Sequence, residues 1–265
     1  MDKIECQWCK AQNDSGQATC DTCGAPLDEQ YKVTDGGWTE VPQLRDLTRF
    51  GFSNSTCQVD GGIVPVAELA LAAGNAVFFE HHVILWKEPS LAISVMDTGG
   101  GIKRMVGGMP RVLNVATGTG RIAVSRDAAG ELVVLPLDPG MEIDVRGHAF
   151  LAGTHSLDYS FVRLKGLANV LHGGDGMFMD RFVANTETGL LLLHGCGNVF
   201  QKTLTAGETV LVEPGSFLYK DSSVSLETSH QKVRTGAFSH DLYLAELRGP
   251  GRVGIQTMYK HHGAD

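Results

Sequence analysis

Four cysteines near the start of the chain carry its clearest chemical signal. Cys6-Gln-Trp-Cys9 and Cys20-Asp-Thr-Cys23 are two Cys-x-x-Cys turns, each able to present a pair of thiolates to one metal ion. Four thiolates complete the closed tetrahedral shell that structural zinc prefers, with no open position at which a bound water can react. Cys6, Cys9, Cys20 and Cys23 are therefore expected to hold a structural Zn2+, and a disulfide-bridged tail is the alternative. Residues 1–30 are too few for an apolar core, so the metal would supply much of that module's folding free energy.

The remaining residues offer weaker chemistry. The ten histidines include two adjacent pairs, His81-His82 and His261-His262, but no His-x-His. Neighbours on a strand point to opposite faces, so an adjacent pair does not readily share a metal there. His172, His194 and His240 are the histidines that a fold could bring together. Gly99-Gly-Gly-Ile-Lys-Arg104 lacks the Gly-Lys-Ser/Thr ending of a phosphate loop, and Gly195-Cys-Gly197 lacks the third glycine of a dinucleotide fingerprint. Cys57 and Cys196 sit in apolar, strand-like contexts and read as small buried hydrophobes. Met96, Met105, Met109, Met177 and Met179 read as core fillers or as an adaptable contact surface.

The elements that must position these residues come from a repeat. Gly74, Gly140 and Gly207 are almost evenly spaced, and placing them in register aligns much of the chain around them. Leu71, Leu137 and Leu204 precede the glycine at matching places. Val77, Ile143 and Val210 follow it, then Phe79, Val145 and Val212, then Ile84, Phe150 and Phe217, and then Leu85, Leu151 and Leu218. Leu91, Leu157 and Val224 continue the match, as do Ile93, Tyr159 and Leu226. Such self-similarity marks internal repetition. Alternating or β-branched runs bounded by glycine predict strands over 133–137, 141–145, 157–161, 210–213 and 252–257. Tight turns are expected at Arg146-Gly147 and Pro214-Gly215, with His81-His82 in the equivalent place. No unit can bury its apolar face alone, so the three are expected to pack around a pseudo-threefold axis.

Composition sets the class. Among 265 residues, 43% are hydrophobic and 33 are glycine, which suits a globular chain of many short strands and turns. A formal charge of −8 works against binding a phosphate backbone, so nucleic acid is an unexpected partner. The opening Met-Asp-Lys-Ile-Glu-Cys does not read as a secretory leader, and no run is apolar enough to span a bilayer. With cysteines in metal-ligand spacing, this leads to an expected cytoplasmic location, peripheral membrane association remaining open.

The segment Cys20 to Leu27, Cys-Asp-Thr-Cys-Gly-Ala-Pro-Leu, resembles the end of short bacterial zinc ribbons. With Asn13 between the two cysteine pairs it is also similar to the Ran-binding-protein type of zinc finger. Some members of that group bind ubiquitin or single-stranded RNA, usually with a tryptophan where this chain has Ile4. Over residues 55–260 the glycine-anchored strand pairs, the triplication and the closing Gly249-Pro-Gly-Arg-Val-Gly-Ile-Gln256 resemble the family named for altered inheritance of mitochondria, number twenty-four. That resemblance implies a fold like that of the tryptophan RNA-binding attenuation protein, each repeat a shortened double-stranded β-helix, and it supplies no catalytic residues.

The expectation is an all-β chain: a zinc ribbon over 1–30, a linker over 31–54 with a turn of helix near 44–49, a triplicated β domain over 55–260, and a tail over 261–265. The expected function is that of a non-enzymatic adaptor or scaffold that self-associates into a homo-oligomer or binds a protein partner. A small-ligand-binding or enzymatic β-helix protein and an RNA-binding protein are the alternatives.

Overall fold

The computed structural model describes residues 3–5, 11–14, 17, 20–22, 27, 33–41, 43–44, 48–96, 113–164, 177–235 and 238–258. Among these residues the chain is all β, and its one helical turn is a 3-10 turn over Pro214–Ser216. Near the N-terminus β1 (Lys3–Glu5) pairs antiparallel with β2 (Gln12–Asp14). Then come β3 (Thr39–Glu40), β4 (Thr48–Phe52) and β5 (Ser55–Asp60).

Six strands follow in each aligned copy. The first has β6 (Val66–Leu71), β7 (Ala76–Glu80), β8 (Ile84–Lys87), β9 (Ala92–Val95), β10 (Leu113–Thr117) and β11 (Gly120–Ser125). The second has β12 (Gly130–Leu137), β13 (Glu142–Arg146), β14 (Phe150–Thr154), β15 (Leu157–Leu164), β16 (Met177–Ala184) and β17 (Gly189–Cys196). The third has β18 (Val199–Leu204), β19 (Thr209–Val212), β20 (Phe217–Asp221), β21 (Ser225–Thr235), β22 (Phe238–Arg248) and β23 (Gly251–Gln256).

Pairing within each copy is the same. The first and third strands both pair with the sixth, as β6 and β8 do with β11, β12 and β14 with β17, and β18 and β20 with β23. The second and fourth both pair with the fifth: β7 and β9 with β10, β13 and β15 with β16, β19 and β21 with β22. The cause is local. Gly74, Gly140 and Gly207 have φ of 87°, 88° and 81°, the left-handed conformation that glycine adopts without a Cβ penalty. Each sits in a turn closed by a backbone bond: Asn75 N to Ala72 O, Met141 N to Asp138 O, and Glu208 N to Thr205 O. The aligned leucines Leu71, Leu137 and Leu204 are buried in all three copies, as are Leu91, Leu157 and Val224.

Adjacent copies join edge to edge. Strand β14 pairs with β7, and β20 pairs with β13. At the first junction Gly153 lies under the Phe78 ring, where an added Cβ would come within 2.8 Å of Cζ. At the second a buried ion pair links Lys220 Nζ to Asp144 Oδ2 at 2.8 Å. Burial raises the Asp144 pKa, but hydrogen bonds from Arg181 and Lys220 outweigh it and hold the carboxyl below the usual range.

Residues 31–54 depart from the linker expectation. Strand β3 adds to β18 at the end of a seven-stranded sheet, and β4 pairs along the whole of β5. Trp38, Val41, Leu44 and Phe50 pack on the core, and Phe52 is buried in it. The expected helical turn near 44–49 gives way to strand at Thr48 and Arg49, and residues 45–47 lie outside those described. These short polar runs become strands because exposed edges of the body offer them backbone partners, which their own periodicity does not reveal.

Candidate functional site

Polar side chains converge where turns of the three copies meet. A cavity of about 350 Å3 is lined by Arg126 and Ala128 after β11, Arg146 at the end of β13, His148 between β13 and β14, His194 and Cys196 on β17, and Gln256 on β23. The turns here are matched: Val83 N bonds to Glu80 O, Ala149 N to Arg146 O and Ser216 N to Glu213 O. At the same aligned position the copies thus carry Glu80, Arg146 and Glu213.

Most of these groups tie copies together. The Arg126 guanidinium reaches Glu80 Oε2 at 2.9 Å, Phe150 O at 2.6 Å and His82 Nε2 at 2.9 Å. Arg146 donates to the carbonyls of Pro214 and Gly215. Burial lowers its pKa against the opposing field of Glu213, yet so strong a base stays charged. Gln256 accepts from Cys196 N at 3.0 Å and donates to Gly215 O at 3.2 Å. His194 is buried, with Nε2 3.0 Å from Ala128 O. Burial first, then the Arg126 charge, pushes its pKa down to about 4, so the ring is neutral near pH 7. Two guanidinium groups beside a neutral imidazole and a half-buried thiol suit a small anion. His194 is held by a carbonyl.

The cysteines of the expected zinc site are placed in part. Cys6, Cys9 and Cys23 lie outside the described residues. Cys6 and Cys9 fall in the connection between the paired strands β1 and β2. Cys20 is 2% exposed, and its sulfur accepts from Asn13 Nδ2 at 3.6 Å while Asn13 Oδ1 accepts from Asp21 N at 3.1 Å. A buried sulfur accepting an N–H suits a thiolate ligand, so this part of the donor set fits zinc. Among the described residues no group of three or more potential ligands occurs.

Other candidates separate. His240 is exposed on β22, away from the buried β17 segment that holds His194, and His172 lies outside the described residues. His81 and His82 are exposed turn residues, as expected. Cys57 is fully buried, and burial pushes its thiol up to about 12, which keeps it inert. Met179 belongs to one core cluster and Met96 packs against another, whereas Met105, Met109 and the Met177 side chain fall outside those described, as do residues 99–104.

The feature that sequence reasoning missed is a seam. The pattern that joins β14 to β7 and β20 to β13 calls for a third pairing of β8 with β19. Among the described residues β8 pairs with β11 and β19 with β22, and neither has a second partner. On these edges Leu85 is 59%, Trp86 40% and Leu211 41% exposed. Their aligned counterparts Leu151, Ala152, Leu218, Tyr219, Phe78 and Asp144 are all buried. The repeat alignment gave the equivalent strands, and only the pairings between copies show that one joint is missing.

No helix among the described residues is long and apolar enough to cross a membrane. No curated protein matches the chain. A Streptococcus pyogenes protein known from its crystal structure, SPYM3_0169, shares the fold, with a TM-score of 0.59 at 18% identity over 77% of this chain and 94% of that one. The family model described as Mitochondrial biogenesis AIM24 matches residues 57–258, a stretch that contains all three copies, and the chain belongs to that family.

Proposed function

We propose that this protein is a non-enzymatic interaction scaffold that works by self-assembly or partner capture through its strand edges. Its body stands as three units about a pseudo-threefold axis, and a zinc ribbon held by Cys6, Cys9, Cys20 and Cys23 rides beside it as an adaptor module in the cytoplasm. The observation that carries this reading is the pair of open edges β8 and β19 with Leu85, Trp86 and Leu211 exposed on them. Open apolar edges invite strand addition, and proteins that do not use such edges block them. Native mass spectrometry of the untagged chain tests it. One zinc per chain in a defined oligomer is expected, with zinc lost on replacing the four cysteines. A monomer with no retained protein would overturn it.

The cavity favours a second reading, the binding of a small anion between Arg126 and Arg146. Inorganic phosphate or citrate should then raise the melting temperature of the wild-type chain and leave that of Arg146→Ala unchanged. Equal responses of the two proteins would remove this reading.

A further inference from the structure

Strand β8 is shaped like the two strands that make joints. In each copy the third strand carries a β-bulge against the sixth, and the extra residue is the aligned leucine. Pairing passes from Ile84 to Trp86 over Leu85, from Phe150 to Ala152 over Leu151, and from Phe217 to Tyr219 over Leu218. A bulge bends its strand and re-aims the side chains around it. Further along, one bond recurs in all three copies. Glu88 Oε2 accepts from Arg121 N at 3.2 Å, Thr154 Oγ1 from Leu190 N at 3.0 Å and Asp221 Oδ2 from Arg252 N at 2.7 Å. Leu151 and Leu218 are fully buried, whereas Leu85 is 59% exposed. The bulge is thus present in β8 and the joint it serves elsewhere is not made.

The register of the two closed joints specifies the third. At the first, Ala152, Gly153 and Thr154 face Phe79, Phe78 and Val77. At the second, Tyr219, Lys220 and Asp221 face Val145, Asp144 and Ile143. Counted from Gly74, Gly140 and Gly207, these are the same positions each time. Carried to the open seam, the rule sets Trp86 opposite Val212, Lys87 opposite Leu211 and Glu88 opposite Val210.

We propose that the seam is a reversible joint that closes within one chain, β8 pairing antiparallel with β19 in this register to complete a ring of three joints. The structure holds the open form. Resting on the scaffold reading, the inference names how that site is regulated: closure hides Leu85, Trp86 and Leu211, so the edges take a partner only while the ring is open. Both edges belong to one body. The first and third copies are joined through the middle one, and β3 on β18 and β5 on β6 link them again through the segment that precedes the repeats. Edges tethered in this way meet at a high effective concentration.

The side chains permit closure and also explain why it is the joint that opens. Strand β19 is Thr-Val-Leu-Val, with no charge or proline to repel a neighbour. Lys87 donates Nζ to Leu91 O at 3.0 Å and Glu88 O at 3.2 Å, and the Glu88 carboxylate is held by Arg121 N, so both charges are engaged within their own copy. The closed joints are each locked at one aligned position, by Gly153 under the Phe78 ring and by Lys220 against Asp144. The third joint sets Lys87 against Leu211 there, which supplies neither a seated ring nor an ion pair. It is the weakest of the three, and the first and third copies can hinge apart on their joints to the middle one.

Lys87→Cys and Leu211→Cys placed together in one full-length chain test the pairing under mild oxidation, read by non-reducing gel and peptide mass spectrometry. Both positions are exposed. Facing residues of antiparallel strands lie within disulfide reach. An internal 87-to-211 link at monomer mass should form at least about tenfold faster than the off-register link in a control carrying Lys87→Cys with Thr209→Cys. In the linked chain Trp86 should be shielded from acrylamide quenching and open to it again after reduction. No internal link, a link formed only between two chains, or equal rates in and out of register would overturn the proposal. A linked chain that assembles or holds a partner as the reduced one does would overturn the control of the edges. Native mass spectrometry of the untagged wild-type chain separates the two readings. An oligomer without the internal link would overturn closure and leave the scaffold standing, whereas a monomer with the link would support closure and sink the scaffold.

Discussion

His194 shows what a single buried side chain contributes here. Its ring is 2% exposed and fixed on Ala128 O, with a pKa pushed from 6.5 to about 4 by burial and by Arg126. Below pH 6.5 the unfolded chain takes up a proton that the folded site refuses, so stability is intact above that pH and declines as pH falls toward 4. The full effect, below both values, is about 3 kcal/mol. Urea titrations across this range should show the decline in the wild-type chain and a shallower one in His194→Gln, which keeps a donor for Ala128 O. An equal slope in both would place the acid sensitivity elsewhere. Asp144 answers differently. Asp144→Asn weakens the bonds from Lys220 and Arg181 and leaves the Lys220 charge buried, so an unfolding free energy lower by about 3 kcal/mol is expected in denaturant melts. Asp144 did not announce itself in the sequence, and His194 stood out only as one of three histidines that a fold could bring together; the partners of Asp144 and of Arg126 come from other strands, so only the assembled sheets bring them together.

At the level of elements, the turns carry the regularity. Gly140 has open space around the place a Cβ would occupy, so Gly140→Ala meets backbone strain alone and should cost about 1 kcal/mol, seen as a lower melting temperature. The strands and these glycines were legible because each is local: an alternating run, and a residue type that permits positive φ. The first fifty residues were less so. Strand β3 is two residues long, and β4 is Thr-Arg-Phe-Gly-Phe, a run that becomes a strand by pairing with β5. Gln43 also joins the body, donating to Glu131 Oε1 at 2.7 Å, while Glu131 Oε2 accepts from Val199 N at 2.9 Å. The buried core clusters draw on Trp38, Leu44, Phe50 and Phe52 and on no described residue before Val33. Deleting residues 1–32 should therefore leave the melting of the body almost unchanged. Deleting 1–54 should lower stability by about 2 kcal/mol or more, from the loss of buried Phe52 and its neighbours. Calorimetry of the two truncations separates a passenger ribbon from an integral segment.

For the molecule as a whole, the self-association proposed above would make stability depend on concentration, because association favours the folded state by mass action. The melting temperature should rise with protein concentration in the wild-type chain and stay flat in Leu211→Asp, which sets a charge on the β19 edge. The threefold spacing of the copies was legible, since it lies in plain alignment of glycines and leucines. That one joint stays open was not, because both edges read as ordinary strands and pairing between them is a long-range property. The open joint also ranks the copies. The middle copy makes both closed joints, through β14 to β7 and β20 to β13, whereas the first and third each make one. The middle copy therefore acts as a keystone: in the unassociated chain, amide protons of β8 and β19 should exchange with solvent by small local openings, while those of β13 and β14 are released only when the whole body comes apart.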